Sequence, residues 1–231
     1  MRHNSIKNMA RFSRIEVALK MKETGMIPVF YHAQAETAKQ VLKACYDGGV
    51  RVFEFTNRGD FAHEVFGELN KWAAKELPDL ILGVGSVIDA GTASLYIQLG
   101  TNFVVSPILD PEMALVCNRR KIAWSPGCGS LNDISRAEEL GAEIVKIFPG
   151  SSVGGPKFVA AVKGPCPWTS IMPTGGVEPT EENLKAWFDA GVTCVGMGSN
   201  LFPKDALAAK DWGKITELCR NAMDVIKKVR K

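Results

Sequence analysis

Lys146 stands near the end of the apolar run Ile144-Val145-Lys146-Ile147-Phe148-Pro149. Near-continuous apolar runs mark strands buried on both faces, as in the parallel sheet of an α/β barrel. An ammonium group placed there costs on the order of several kcal/mol unless it is paired or loses its proton. To be half neutral at pH 7, its pKa must fall by about three and a half units, or about 5 kcal/mol. Burial and a neighbouring cation act in that direction. A neutral lysine attacks a carbonyl carbon to form a Schiff base, and a nearby carboxylate can carry the protons. A lysine at a strand end can also snorkel, keeping its ammonium in water. Lys146 alone leaves both readings open.

A second run, Val52-Phe53-Glu54-Phe55-Thr56-Asn57-Arg58, carries two charges on an otherwise apolar strand. With a period of two, Glu54, Thr56 and Arg58 project to one face. If that face is a barrel interior, a carboxylate and a guanidinium converge at its mouth. The alternatives are a structural ion pair or a charge at a helix start. Arg58 would also oppose protonation of Lys146.

Two glycine-rich turns follow later strands: Pro173-Thr174-Gly175-Gly176 and Gly196-Met197-Gly198-Ser199. Barrel enzymes frequently bind phosphate with the loops after strands seven and eight. Glycine lets the backbone approach the anion, and Ser199 adds a hydroxyl. Tight turns without a ligand are the other reading. Small residues also end the third and fourth strands, in Leu82-Gly83-Val84-Gly85-Ser86 and Ser106-Pro107, where they make room for a substrate; the Ser86 hydroxyl suits a carboxylate. Cys128, in Pro126-Gly127-Cys128, has no histidine partner and is read as pocket lining.

These residues need a scaffold that gathers strand ends, and the pattern supplies one. Eight strands are expected: Met26–Tyr31, Val50–Phe55, Leu80–Val84, Phe103–Val105, Ile122–Trp124, Ile144–Ile147, Ser170–Met172 and Cys194–Gly196. Between them lie helical segments over Ala35–Asp47, Phe61–Lys75, Ala90–Leu99, Pro111–Asn118, Leu131–Leu140, Lys157–Val162 and Glu182–Asp189. Several close on glycine, as in Leu99-Gly100, Leu140-Gly141 and Ala190-Gly191, where a left-handed residue ends a helix. Eight such units predict an α/β fold, a (β/α)8 TIM barrel; an open doubly wound sheet is the alternative. An additional N-terminal helix near Ser13–Thr24 would cap the barrel bottom, and a last helix near Trp212–Val229 would finish the ring. No linker interrupts residues 1–231, so one domain is expected, with 1–12 as a flexible N-terminal segment.

The chain has 231 residues, 46% hydrophobic and 23% charged, enough for a sizeable core. A net charge of +3 gives no argument for nucleic acid, and no apolar stretch approaches the ~20 residues of a membrane span. Six scattered cysteines without a CxxC pair, and no secretory signal, read as reduced thiols in a cytoplasmic protein. His3, His32 and His63 form no metal-ligand spacing, so no metal and no cofactor is expected.

As an ordered set, from Ile27-Pro28-Val29 to Gly198-Ser199, these motifs resemble the class I 2-keto-3-deoxy-6-phosphogluconate (KDPG) / 4-hydroxy-2-oxoglutarate (KHG) aldolase family. The resemblance implies a homotrimer acting on a small keto acid or sugar-acid phosphate. It also implies that Lys146 forms the imine, that Glu54 relays protons, and that Arg58 and Ser86 hold the α-keto carboxylate. Phe148 would pack on the reacting carbons, Pro107 would shape the pocket, and Thr56 and Thr174 would line it. Gly175, Gly176, Gly198 and Ser199 would bind the distal phosphate. The family usually has threonine where this chain has Ser86, and Thr and Glu where it has Ser130 and Asp133. Pro126-Gly127-Cys128 also resembles the 6-phosphogalactonate branch. A phosphate-binding barrel isomerase or epimerase, with Glu54 as base and Lys146 acting only by its charge, is the other enzymatic reading. A non-catalytic sugar-phosphate-binding barrel is the third. The chain past Leu201 has no assigned role.

Overall fold

The computed structural model describes residues 10–230. Parallel strands β1 (Met26–Phe30), β2 (Val52–Thr56), β3 (Ile81–Gly85), β4 (Phe103–Val105), β5 (Ala123–Ser125), β6 (Gly127–Cys128), β7 (Val145–Ile147), β8 (Ile171–Pro173) and β9 (Val195–Met197) form the inner layer. Helices α1 (Arg14–Thr24), α2 (Ala35–Asp47), α3 (Ala62–Glu76), α4 (Ala90–Gln98), α5 (Pro111–Arg120), α6 (Leu131–Glu139), α7 (Gly155–Lys163), α8 (Glu181–Asp189), α9 (Lys204–Ala209) and α10 (Trp212–Val229) complete the order.

The ladder runs β5-β4-β3-β2-β1-β9 in one sheet and β6-β7-β8 in another. Pro126 separates β5 from β6. Its missing N–H cannot join a ladder, so β5 pairs with β4 while β6 pairs with β7. The two pieces are one stave, bent at Pro126. The Thr174–Gly196 bridge joins the end of β8 to β9. Eight staves therefore close on themselves, as the alternating pattern predicts.

Most observed strands begin one or two residues later than the apolar runs. Val50, Leu80 and Ile122 are buried, yet their N–H groups bond back to Cys45 O, Leu77 O and Cys117 O in the preceding helix or loop. They pack between helix and barrel without entering the ladder. Apolarity marks burial, not strand pairing.

Two cores result. The larger lies between the strands and the helical ring. The smaller fills the barrel floor with Ile27, Val52, Ile81, Phe103, Ile144 and Met172, and α1 closes it from below through Val17 and Met21. Helix α1 starts at a capping box in which Glu16 N–H donates to Ser13 Oγ and Ser13 N–H donates to Glu16 Oε2. The 1–12 segment falls largely outside the described residues, as does His3. Within the described part, Phe12 N–H donates to Asn102 Oδ1 at 3.1 Å, and Phe12 packs on the floor core.

Candidate active site

Inward-facing positions recur every second residue along each stave. On β2 they are Val52, Glu54 and Thr56; along the β7 stave they are Ile144, Lys146 and Phe148. Val52 and Ile144 belong to the apolar floor. One layer up, Glu54 is 1% and Lys146 5% exposed. The third layer, Thr56 and Phe148, reaches the mouth at the C-terminal strand ends, where barrels carry their chemistry.

Glu54 and Lys146 share this buried layer without a direct ion pair. Burial holds the Lys146 pKa below the ordinary lysine value; Glu54 opposes that shift and the Arg58 charge adds to it. The Glu54 carboxyl is raised by burial, against the cationic pull of Lys146 and Arg58. Each group is thus moved toward its neutral form, the state in which lysine is a nucleophile and a carboxyl group gives up a proton to a base. Glu54 Oε2 is buried and has no hydrogen-bond partner. Lys146 Nζ lies 4.8 Å from the centroid of the Phe148 ring, which covers the amine from above.

Glycines on β3 make this layer fit. A Cβ at Gly85 would overlap Glu54 Oε1, and one at Gly83 would overlap the Phe103 ring. The sequence reads these glycines as room for substrate. The space they leave is instead filled by the Glu54 carboxylate and by a ring of the floor core.

Above the layer opens a cavity of about 550 Å³. Thr56, Arg58, Phe148, Thr174, Gly175, Gly176, Gly198 and Ser199 all line it. The structure thus brings eight of the expected residues to one wall, with Glu54 and Lys146 directly beneath. Gly175 and Gly176 have φ of 94° and 77°. Such left-handed values turn successive amides into a concavity suited to an anion. Thr174 Oγ1 is buried and unpaired beside them.

Three placements differ from expectation. Strand alternation does not extend to Arg58, because β2 ends at Thr56 and Arg58 N–H bonds back to Thr56 O in a turn. Arg58 is exposed but still stands on the wall. Ser86 and Pro107 are absent from that wall. Ser86 sits just past β3 with φ 59°, and the Pro107 carbonyl presses against Gly127, the ladder neighbour of Lys146. Pro107 thus stands beside the Lys146 layer, while Ser86 follows Gly85, the ladder partner of Thr56, and lies at the level of the mouth. Tyr31, Asn200, Phe202 and Lys204, to which the sequence gives no role, line the cavity wall as well. Tyr31 was readable as the end of the first predicted strand. The other three follow the last predicted strand and carry no periodic signal.

The family model for KDPG and KHG aldolase matches residues 17–218, most of the chain. The chain belongs to the KDPG and KHG aldolase family. Members of such a family are carbon–carbon lyases. The aldolase is 35% identical over 198 residues to the 2-dehydro-3-deoxy-phosphogluconate aldolase of Pseudoalteromonas atlantica, covering 86% of this chain and 89% of that one. It is 32% identical to the KHG/KDPG aldolase of Escherichia coli K12, covering 86% and 91%. Among solved structures, the KDPG aldolase of Legionella pneumophila superposes with a TM-score of 0.80 at 28% identity, covering 88% and 96%. That relative was captured with pyruvate as a covalent carbinolamine intermediate.

Two departures noted in the sequence have a local explanation in the aldolase. Ser130 is the N-cap of α6; its Oγ accepts from Asp133 N–H and donates to the Asp133 carboxylate at 2.8 Å. Asp133 also accepts from Gly129 N–H at 3.1 Å. The pair caps the start of a helix. Among the described residues no helix is long and apolar enough to cross a membrane.

Proposed function

We propose that this chain is a Schiff-base aldolase that cleaves 2-keto-3-deoxy-6-phosphogluconate to pyruvate and glyceraldehyde 3-phosphate. The buried Lys146–Glu54 layer beneath an anion-suited cavity carries the reading. The neutral Lys146 amine attacks the keto carbon; the Glu54 carboxyl then protonates the departing carbinolamine hydroxyl, and loss of water leaves a protonated imine and the Glu54 carboxylate. The C4 hydroxyl gives its proton to Glu54, the C3–C4 bond breaks, and its electron pair moves toward the imine nitrogen as an enamine. The aldehyde departs. Glu54 then returns the proton to the enamine carbon, and water releases pyruvate. The imine supplies the electron sink, so no metal and no cofactor enters these steps.

Arg58 would hold the α-keto carboxylate, with Ser86 as a second donor. Phe148 and Pro107 would bracket the reacting carbons. Thr56 and Thr174 would meet substrate hydroxyls, and Gly175, Gly176, Gly198 and Ser199 the phosphate. The same site would accept 4-hydroxy-2-oxoglutarate, giving pyruvate and glyoxylate. The galactonate-series substrate differs only at C4, so relative kcat/KM on the two epimers decides which series is preferred.

We also read residues 1–231 as one catalytic domain, working in the cytoplasm as a homotrimer. Six free cysteines, including Cys45 and Cys219 with sulfurs 3.6 Å apart, suit a reducing compartment. Exposed Ile88, Leu95, Ile108, Leu115 and Leu131 lie on three consecutive βα units, and α4 packs beside α5. Such exposure would suit a subunit interface. A coupled assay of pyruvate release from the phosphorylated keto acid tests the activity. Release of pyruvate and the three-carbon aldehyde in equal amounts is expected; no cleavage of either C4 epimer or of 4-hydroxy-2-oxoglutarate would refute it.

A further inference from the structure

Lys204 opens α9, in the segment after Leu201 to which the sequence gives no role. Lys204 lines the mouth cavity together with both glycine turns. The wall carries two cations, Arg58 and Lys204, and no carboxylate among the described residues. The two approach from opposite sides of β1. In the order β2-β1-β9, Arg58 follows β2 and Lys204 follows β9. Such a wall complements a ligand with a negative charge at each end.

The neighbouring acid leaves the Lys204 ammonium free. Asp205 accepts a hydrogen bond from Lys214 Nζ at 2.8 Å, which draws its pKa below the usual carboxylate value. The segment leading to Lys204 is also anchored. Phe202 packs on Phe30 with ring centroids 4.7 Å apart, and Asn200 Nδ2 donates to Val177 O at 3.0 Å.

We propose that Lys204 is a specificity-determining residue that binds the distal phosphate and favours phosphorylated keto acids over shorter, unphosphorylated ones. The identity of the substrate rests on the aldolase reading; the anion site itself does not. Backbone amides at the glycine turns orient phosphate oxygens but carry no net charge. A phosphate monoester near neutral pH carries between one and two negative charges, about −1.5 to −2. Lys204 supplies the matching charge at the end of the cavity that Arg58 does not serve.

The test uses Lys204→Gln and Lys204→Arg beside the wild-type chain, with inorganic phosphate as the probe. Titration calorimetry should show phosphate binding about 10-fold weaker in Lys204→Gln and restored in Lys204→Arg. The ratio of kcat/KM for the phosphorylated keto acid over 4-hydroxy-2-oxoglutarate should fall about 10-fold in Lys204→Gln, through KM. Equal phosphate binding in the three proteins, or equal losses on both substrates, would overturn the assignment. Phosphate binding that depends on Lys204 in a chain that cleaves neither substrate supports the anion site and removes only the aldolase reading.

Discussion

At the scale of residues, the site is built from groups that each act on the ionisation of the others. Lys146 and Glu54 are buried beyond what either charge tolerates alone, and Arg58 stands outside, acting on both. Imine formation requires the neutral amine, so trapping should rise with pH through the Lys146 pKa, which lies below the ordinary lysine value of 10.5. Arg58 lowers that pKa. Arg58→Ala therefore raises it, and the pH profile of borohydride trapping with pyruvate should move to higher pH. Losing the carboxylate anchor should also reduce kcat/KM by about 10- to 100-fold. A profile left in place would show that Arg58 does not act on the amine. Lys146 and Glu54 were legible in the sequence because each is a charge inside an apolar strand. Arg58 was legible as a charge, but the turn that ends β2 was not. That turn depends on a hydrogen bond back to Thr56, which alternation does not encode.

Among the elements, β3 does most to set the reactive layer, although it contributes no charged side chain. Gly85 lets the Glu54 carboxylate lie across the face of the neighbouring strand. Gly85→Ala forces either the carboxylate or the strand aside, which should cost about 1–3 kcal/mol in stability. A lower Tm together with a loss of turnover is expected by calorimetry and the coupled assay. Unchanged Tm and turnover would mean that the layer has slack it does not show. Strand identities were readable from the apolar runs. Their starts were not, since Val50, Leu80 and Ile122 are buried by the helix they follow. The break at Pro126 likewise needed the ladder. A proline in a short run signals a stop, and only the partners β4 and β7 reveal one stave continuing through it.

For the whole molecule, closure of the barrel turns separate strand ends into one mouth and leaves α1 to seal the opposite end. Eight repeated units pointed to a barrel, but a returning helix serves an open doubly wound sheet equally; the β9–β1 pairing and the Thr174–Gly196 bridge supply the closure. The tail was opaque. The α9 segment lies beyond the last strand, and its place over the mouth comes from the Phe202–Phe30 contact between distant parts of the chain. A homotrimer built on the exposed apolar side of α4 and α5 should dissociate when Leu115 becomes glutamate, because a charge would be buried in the interface. Sedimentation velocity should then report monomer in place of trimer; an unchanged species would place the interface elsewhere. The amine inside the barrel carries the chemistry. Incubation with pyruvate, reduction by borohydride and peptide mapping should find the mass of a reduced pyruvate imine on Lys146 and on no other lysine. A chain without the adduct, or with it on another lysine, would show that Lys146 is not the Schiff-base nucleophile.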